Sequence, residues 1–298
     1  MGAEDHPFID WRSGARPELD RLTVVGGEPL LYPGIEEVLR AASATEIAEK
    51  RLTTNLTELK DSQIEAMKAA GFRACVSLDG ATASQHDAIR KKGNFDKTIA
   101  NLRRLIANGV DLEVTHSVTA QNAGGFRQLI ELLRSLGVRR LNLHKVSPQG
   151  NAKMNRHMVM SATEWREFLR DTVFTTPKSA QPLTLRYPLL FATQNEYEQW
   201  SEAEGYHHHA LGSFYSTLGH RLVLYADGKV FVSSEAFGTE SYIGAIVGGR
   251  FEPNRSERNE VALSASPLFR VSDVNNEIQG DENYPVPLSF SYRRTIQL

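Results

Sequence analysis

Leu22-Thr23-Val24-Val25-Gly26-Gly27-Glu28-Pro29 is the stretch on which the fold turns. A short apolar run ends in two glycines. Apolar positions then recur three and four residues apart at Ile35, Val38, Leu39 and Ala42. That order gives a buried strand, a tight turn and a helix with one apolar face. Paired glycines let the backbone approach a ligand closely and leave N–H and C=O groups free. The carboxylate of Glu28 beside them could receive an ammonium group. A plain strand-to-helix turn accounts for the same residues, and the stretch alone does not choose between the two.

Outward from it the pattern repeats. A second strand is expected over residues 50–55. The helix after it opens on Asp61 as N-cap, carries Ile64, Met67 and Lys68, and stops at Gly71. A third strand spans 73–79, with a helix around 95–108 that stops at Gly109. A fourth spans 112–119, with a helix over 125–136 that stops at Gly137, and a fifth spans 139–146. Strands alternating with helices imply parallel βαβ units, in a doubly wound sheet or a barrel. Both place the ligand site at the carboxyl ends of the strands. Glu28, Asn55, Asp79, Thr119 and Lys145 fall there.

The pattern changes after about residue 155. Ser161-Ala162-Thr163-Glu164 is a capping box opening a helix through Trp165, Phe168 and Leu169. Residues 175–188 are rich in Pro, Thr and Ser and read as a linker. A helix is expected over 195–204, ending at Gly205. Two alternating segments around Asp227-Gly228 form a β-hairpin at 220–233. The last fifty or so residues read as loops. The division expected is 1–155 for the α/β part and 156–298 for a smaller α+β domain.

Composition sets limits. The 298 residues carry 34 basic and 36 acidic side chains, a net charge of −2, which gives no general reason to expect nucleic acid or an acidic membrane as partner. No apolar run approaches the ~20 residues of a membrane span. Residues 1–14 lack the basic start and apolar stretch of a secretory signal, so a cytoplasmic location is expected. The single cysteine, Cys75, excludes a disulfide within the chain and a cluster held by three thiolates of these residues alone.

The ordered set Val25-Gly-Gly-Glu-Pro-Leu-Leu-Tyr-Pro33, Thr53-Thr54-Asn55, Val76-Ser77-Leu78-Asp79-Gly80, His86-Asp87-Ala88-Ile89-Arg90, Gly93-Asn94-Phe95-Asp96 and Val118-Thr-Ala-Gln-Asn122 resembles the radical S-adenosylmethionine enzymes. The hairpin and Ile243-Gly244-Ala245-Ile246 resemble the C-terminal extension of the SPASM/twitch type. The resemblance implies an incomplete parallel TIM-like barrel lacking its first βα unit, followed by that extension. It implies that Gly26, Gly27, Glu28 and Pro29 receive the amino group of S-adenosylmethionine. Ser77 matches a position that holds the ribose or the methionine carboxylate, and Asn55 and Asp79 line the same mouth. Cys75, Ser77 and Asp79 share one strand face. For Asp79 and Arg90 structural roles compete with binding.

The family also carries a Cys-x3-Cys-x2-Cys loop well upstream of this turn, whose thiolates hold a four-iron cluster. Residues 1–25 contain no cysteine, and residues flanking the hairpin read Tyr215-Ser216-Thr217 and Val232-Ser233-Ser234, where the extension usually holds more. A 4Fe-4S cluster is therefore not expected from this chain. The leading expectation is a cluster-less protein that binds S-adenosylmethionine or a related small ligand for non-radical chemistry in a biosynthetic pathway, on a small-molecule or peptide substrate. A non-catalytic partner in a homo- or hetero-oligomer covering the incomplete barrel is the alternative, and a truncated radical enzyme is a third. His207-His208-His209 and His220 lack the spacing of a metal site, and no metal is expected. His144 shares a face with Asn142 and is a candidate general acid or base. His116 reads as a core histidine.

Overall fold

The computed structural model describes residues 21–146, 154–188, 223–231, 242–254 and 293–298. Strands and helices alternate through the first segment: β1 (Arg21–Val24), α1 (Ile35–Ser43), β2 (Glu49–Thr54), α2 (Asp61–Ala69), β3 (Phe72–Ser77), α3 (Ala83–Ile89), α4 (Asn94–Ala107), β4 (Leu112–Val118), α5 (Phe126–Leu136) and β5 (Arg140–Lys145). After α6 (Ala162–Glu167) come β6 (Thr184–Pro188), β7 (Val223–Leu224), β8 (Lys229–Phe231), β9 (Tyr242–Val247), β10 (Arg250–Pro253) and β11 (Arg293–Gln297).

Six strands, β1 to β6, lie side by side in chain order, each parallel to the next, and β11 adds antiparallel to β6. The βα alternation explains the order, because each helix carries the chain back to start a parallel neighbour. One sheet face is apolar. Leu52, Ala74, Val76, Leu78, Val114, Val118, Leu141, Leu143 and Leu185 point to it and are buried. The buried sides of the helices, Leu39, Met67, Leu102, Leu105, Phe126, Leu129 and Leu133, supply the other half of this core. Each of the larger side chains among these contributes about 1.5–3 kcal/mol. The chain leaves α5 through Gly137, whose φ of +79° is the left-handed conformation that ends helices.

Several boundaries differ from expectation. Asp61 is the first helical residue rather than the cap: Lys60 precedes it, and its backbone N–H donates to Gln63 Oε1 at 3.0 Å. α3 is a separate short helix ahead of the one expected around 95–108. The expected linker 175–188 ends in β6. Leu183, Leu185 and Tyr187 alternate as buried residues there, and the polar, proline-rich composition belongs to the connection ahead of them. The expected loops at the chain's end contain β10 and β11. Leu298 beyond β11 is buried, and its backbone exchanges two hydrogen bonds with Leu183 at 3.0 and 3.2 Å. The main sheet therefore runs past residue 155 to include 184–188 and 293–297.

The capping box holds: Ser161 Oγ accepts from the Glu164 N–H at 3.1 Å, and Glu164 accepts from the Ser161 N–H at 2.7 Å. A π-type turn (Phe168–Val173) extends α6. Trp165, fully buried, donates its indole N–H to the Pro188 carbonyl at 3.3 Å.

A second compact unit holds β7 to β10, an antiparallel sheet in the order β10-β9-β8-β7. Its β7–β8 turn carries Asp227-Gly228, as the hairpin reading requires, with Gly228 at φ +83°. The flanking residues 220–222 and 232–233, the helix expected over 195–204 and the histidines 207–209 and 220 lie outside the described residues. No helix among the described residues is long and apolar enough to cross a membrane.

Candidate functional site

β1 ends at Val24, and Val25, Gly26 and Gly27 follow with exposed backbone. Gly26 has φ +151°, a conformation that side-chain-bearing residues rarely adopt. Gly27 is different. A Cβ placed there would meet nothing within 4 Å among the described residues. Glu28 folds back to hold the turn. Its Oε1 accepts from Thr54 Oγ1 at 2.6 Å and the Leu30 N–H at 3.2 Å, and its Oε2 accepts from the Asn55 N–H at 2.7 Å. Three of a carboxylate's roughly four acceptor positions are thereby used. The groups left open at this turn are backbone ones, and Pro29 is buried at the start of the next turn.

Asn55 follows β2. Its Oδ1 accepts from the Thr57 N–H and Oγ1 at 2.9 and 2.8 Å, while its amide nitrogen has no partner among the described residues. Ser77, the last residue of β3, is 8% exposed.

Asp79 is fully buried and both carboxylate oxygens are engaged. Oδ2 accepts from Arg90 Nε at 2.5 Å, and Oδ1 accepts from the Ser117 N–H at 2.8 Å. Asn122 closes the same cluster by donating to the backbone carbonyls of Asp79 and Ser117 at 3.0 and 2.9 Å. Its Oδ1 accepts from the Thr119 N–H at 2.7 Å. Asp79 and Asn122 thus join the end of β3 to the end of β4, and Arg90 ties the end of α3 to Asp79.

Two buried histidines flank this cluster. The Asp79 N–H donates to His86 Nδ1 at 3.0 Å, so the proton of a neutral His86 is on Nε2. His116 points to the helix side and bonds the Leu78 carbonyl through Nδ1 at 3.0 Å, so that nitrogen carries the proton. His116 Nε2 is buried without a partner among the described residues. Burial pulls both rings below the usual histidine range, with Asp79 opposing the effect in part. An unfolded chain takes up these protons near pH 6.5, so below that pH it binds more of them than the native state. The stabilisation is complete above about pH 6.5 and is lost below it, by up to about 1.4 kcal/mol per pH unit for each ring. Urea unfolding at about pH 7 and about pH 5 is expected to show this loss, with a shallower slope in a His86→Gln/His116→Gln variant.

The amino-terminal half of the other sheet face is a ladder of paired charges. Arg51 meets Glu113 at 3.1 Å and Glu49 at 2.5 Å, and Arg73 meets Glu49 at 3.3 Å and Asp111 at 2.8 Å. Arg21 pairs with Glu49, and Arg140 pairs with Asp111. Cys75 lies within this ladder, its thiol 3.5 Å from Glu113 Oε1. Burial, with Glu113 adding to it, pushes the thiol pKa up to about 12. A cluster ligand must be a thiolate, and three are needed, so the cysteine content of these residues does not fit a four-iron cluster. Among the described residues no group of three or more His, Cys, Asp or Glu side chains could hold a metal ion.

His144 is half-buried and within hydrogen-bond distance of Asn142, Nδ2 to Nε2 at 3.0 Å. Strand pairing puts both on the face of Ser77 and Thr115, away from His116. The structure thus brings Asn55, Ser77 and His144 to one sheet face at the strand ends. Thr115 and Arg186 share that face, and the sequence reading did not single them out. Arg186 could have been found in the alternation Leu185-Arg186-Tyr187, had residues 184–188 been read as a strand.

The description "Radical SAM superfamily" fits residues 10–136. The AdoMet-dependent heme synthase of Nitratidesulfovibrio vulgaris is 28% identical over 147 residues, 48% of this chain and 40% of that protein. PqqA peptide cyclase of Ruegeria pomeroyi is 30% identical over 138 residues, 46% of this chain and 37% of that protein. The chain thus spans about 40% of the length of the curated relatives it matches. In fold it is similar to Streptococcus suis SuiB bound to S-adenosylmethionine, with TM-score 0.54 at 14% identity over 82% of this chain and 55% of that one. It is likewise similar to SuiB bound to precursor peptide SuiA, with TM-score 0.55 at 13% identity over 89% and 63%. Those structures share the partial parallel barrel seen here as β1 to β6. Residues 10–136 carry a radical SAM domain.

Proposed function

We propose that the carboxyl ends of β1 to β5 bind S-adenosylmethionine or a closely related ligand, and that the chain does so without an iron–sulfur cluster of its own. The observation that carries this reading is the Gly26-Gly27 turn. Its backbone is exposed at a strand end, Gly26 holds a glycine-specific conformation, and a Cβ at Gly27 would meet nothing within 4 Å among the described residues. Carbonyl oxygens there would accept from the ligand's ammonium group, with the Asn55 amide and the Ser77 hydroxyl available to its polar groups. Bound S-adenosylmethionine would supply an activated sulfonium centre. The part of this chain is to orient it, with His144 as the candidate acid or base and a small molecule or peptide of a biosynthetic pathway as substrate. The relatives named for heme synthesis and peptide cyclisation support that setting.

Two measurements on the purified chain test this. Calorimetric titration with S-adenosylmethionine is expected to show saturable binding. Anaerobic incubation with iron, sulfide, a strong reductant and S-adenosylmethionine is expected to give no 5′-deoxyadenosine. Absence of binding overturns the ligand assignment, and formation of 5′-deoxyadenosine overturns the cluster-less part. A second reading, a partner subunit covering the β1 side, is favoured by Val25, Leu31 and Tyr32, which are 61%, 63% and 58% exposed there. A monomer by light scattering would remove it.

A further inference from the structure

Asn55 follows β2, and almost every group it can bond with is engaged inside the protein. Its backbone N–H donates to Glu28 Oε2 at 2.7 Å, and its carbonyl accepts from Thr98 Oγ1 of α4 at 2.9 Å. Its side-chain Oδ1 accepts from the Thr57 N–H and hydroxyl at 2.9 and 2.8 Å. Only the Nδ2 amide is left open, a donor with two protons. Leu56, next in the chain, is fully buried and has a φ of +57°, the only positive φ among the described residues other than glycine. Left-handed backbone is unfavourable for a leucine and persists only where the surroundings hold it.

The hold comes from α4. Thr98 and Asn101 stand three residues apart on that helix and so share one face. Thr98 is fully buried, and its hydroxyl crosses to the Asn55 carbonyl instead of bonding a carbonyl one turn back, the local partner open to a helical threonine. Asn101 donates from Nδ2 to the Leu56 carbonyl at 3.0 Å. The Leu56 N–H donates to Thr54 Oγ1 at 2.8 Å, and that hydroxyl donates to Glu28. Both peptide groups flanking Leu56 are thus fixed at the carbonyl and at the N–H. The ion pair of Lys97 with Glu58, on the same helix and loop, is exposed on both sides and adds little to this hold.

We propose that Thr98, supported by Asn101, is a positioning residue that aims the Asn55 amide at the ligand held beside the glycine turn. This role rests on the ligand-site reading above and extends it from the strand ends to the helix behind them. Glu28 accepts from both Thr54 and Asn55, so the same bonds tie the Asn55 donor to the turn that carries Gly26 and Gly27. An amide whose Oδ1 and backbone are already fixed loses little freedom when it donates to an acceptor oxygen of the ligand. It therefore gives affinity that a loose side chain does not.

The test combines calorimetric titration of the full chain with S-adenosylmethionine and NMR of the Asn55 side-chain amide. In the ligand-free parent that amide is expected to give the heteronuclear NOE of an ordered group, and its resonances should shift on titration. Thr98→Val keeps the volume and removes the hydroxyl. It should loosen the Asn55 amide and weaken binding about tenfold, the scale of one lost hydrogen bond. Thr98→Ser should restore both, and Lys97→Ala should match the parent in both. Asn101→Ala, at a half-buried position, should move both readouts in the same direction as Thr98→Val and serves in its place if that variant does not fold. Asn55→Asp keeps the acceptor that Thr57 uses and replaces the open donor, so it should weaken binding by at least as much. Parent-like affinity in the folded variants of Thr98, Asn101 and Asn55 overturns the positioning role. So does weakened binding with an unchanged Asn55 NOE, or a loss that Thr98→Ser does not restore. If the parent does not bind, the ligand-site reading itself falls. If it binds with the Asn55 resonances unshifted, that reading stands and this role alone is removed.

Discussion

Replacing Asp79 by alanine is expected to lower folding stability by about 3–5 kcal/mol, the range seen when one partner of a buried ion pair is removed. Two effects add. Arg90, one-third exposed, loses its carboxylate, and the Ser117 N–H loses its acceptor at a position that water reaches poorly. The cluster joins β3, the end of α3 and β4, so the loss falls on the middle of the sheet. Asp79→Asn should cost less, because an amide oxygen can still accept from Ser117 while only the charge toward Arg90 is gone. Urea unfolding followed by circular dichroism gives both values. The same pair of variants separates holding the fold from touching a ligand. With both carboxylate oxygens engaged inside the protein, Asp79→Asn is expected to bind S-adenosylmethionine as the parent does, at temperatures where it is folded. A large loss of affinity in a folded Asp79→Asn protein would place this carboxylate against the ligand instead.

Much of this arrangement is legible in the sequence, and the parts that are not have physical reasons. Strand periodicity and helix-ending glycines at 71, 109 and 137 give β2 to β5 with α2, α4 and α5, because local patterning and long apolar faces agree there. Strand parity alone separates His116, on the helix side, from His144 and Asn142 on the other. β6 and β11 escape for the opposite reason. Each is five residues long, and one adjoins a proline-rich connection while the other lies at the chain's end. Their pairing is decided by a partner more than a hundred residues away, which no local window contains.

The role of Glu28 is hidden in the same way. Its position beside two glycines suggests an outward carboxylate, but the structure turns it inward to Thr54 and Asn55, residues of the next strand and its exit. Arg186 is legible as a residue of that sheet face only once β6 is placed, since strand pairing assigns its side.

Gly27→Val is expected to leave the fold intact and to weaken S-adenosylmethionine binding by about tenfold to a hundredfold. The backbone at Gly27 is not in the left-handed region, and a Cβ there meets nothing within 4 Å among the described residues, so a small branched side chain is expected to fit without displacing them. The same open space is where the proposed ligand approaches the turn. A branched side chain placed in it acts as overpacking does in a core, at about 1–3 kcal/mol, and that cost falls on the complex alone. Gly26→Ala provides the contrast. Its φ of +151° makes any side chain strained before a ligand arrives, so stability and affinity should fall together. Calorimetric titration beside thermal unfolding reads both quantities for each variant. Undiminished affinity in Gly27→Val would remove the glycine turn from the ligand site. Loss of affinity accompanied by an equal loss of stability in Gly27→Val would show that the open space belongs to the fold and not to the ligand.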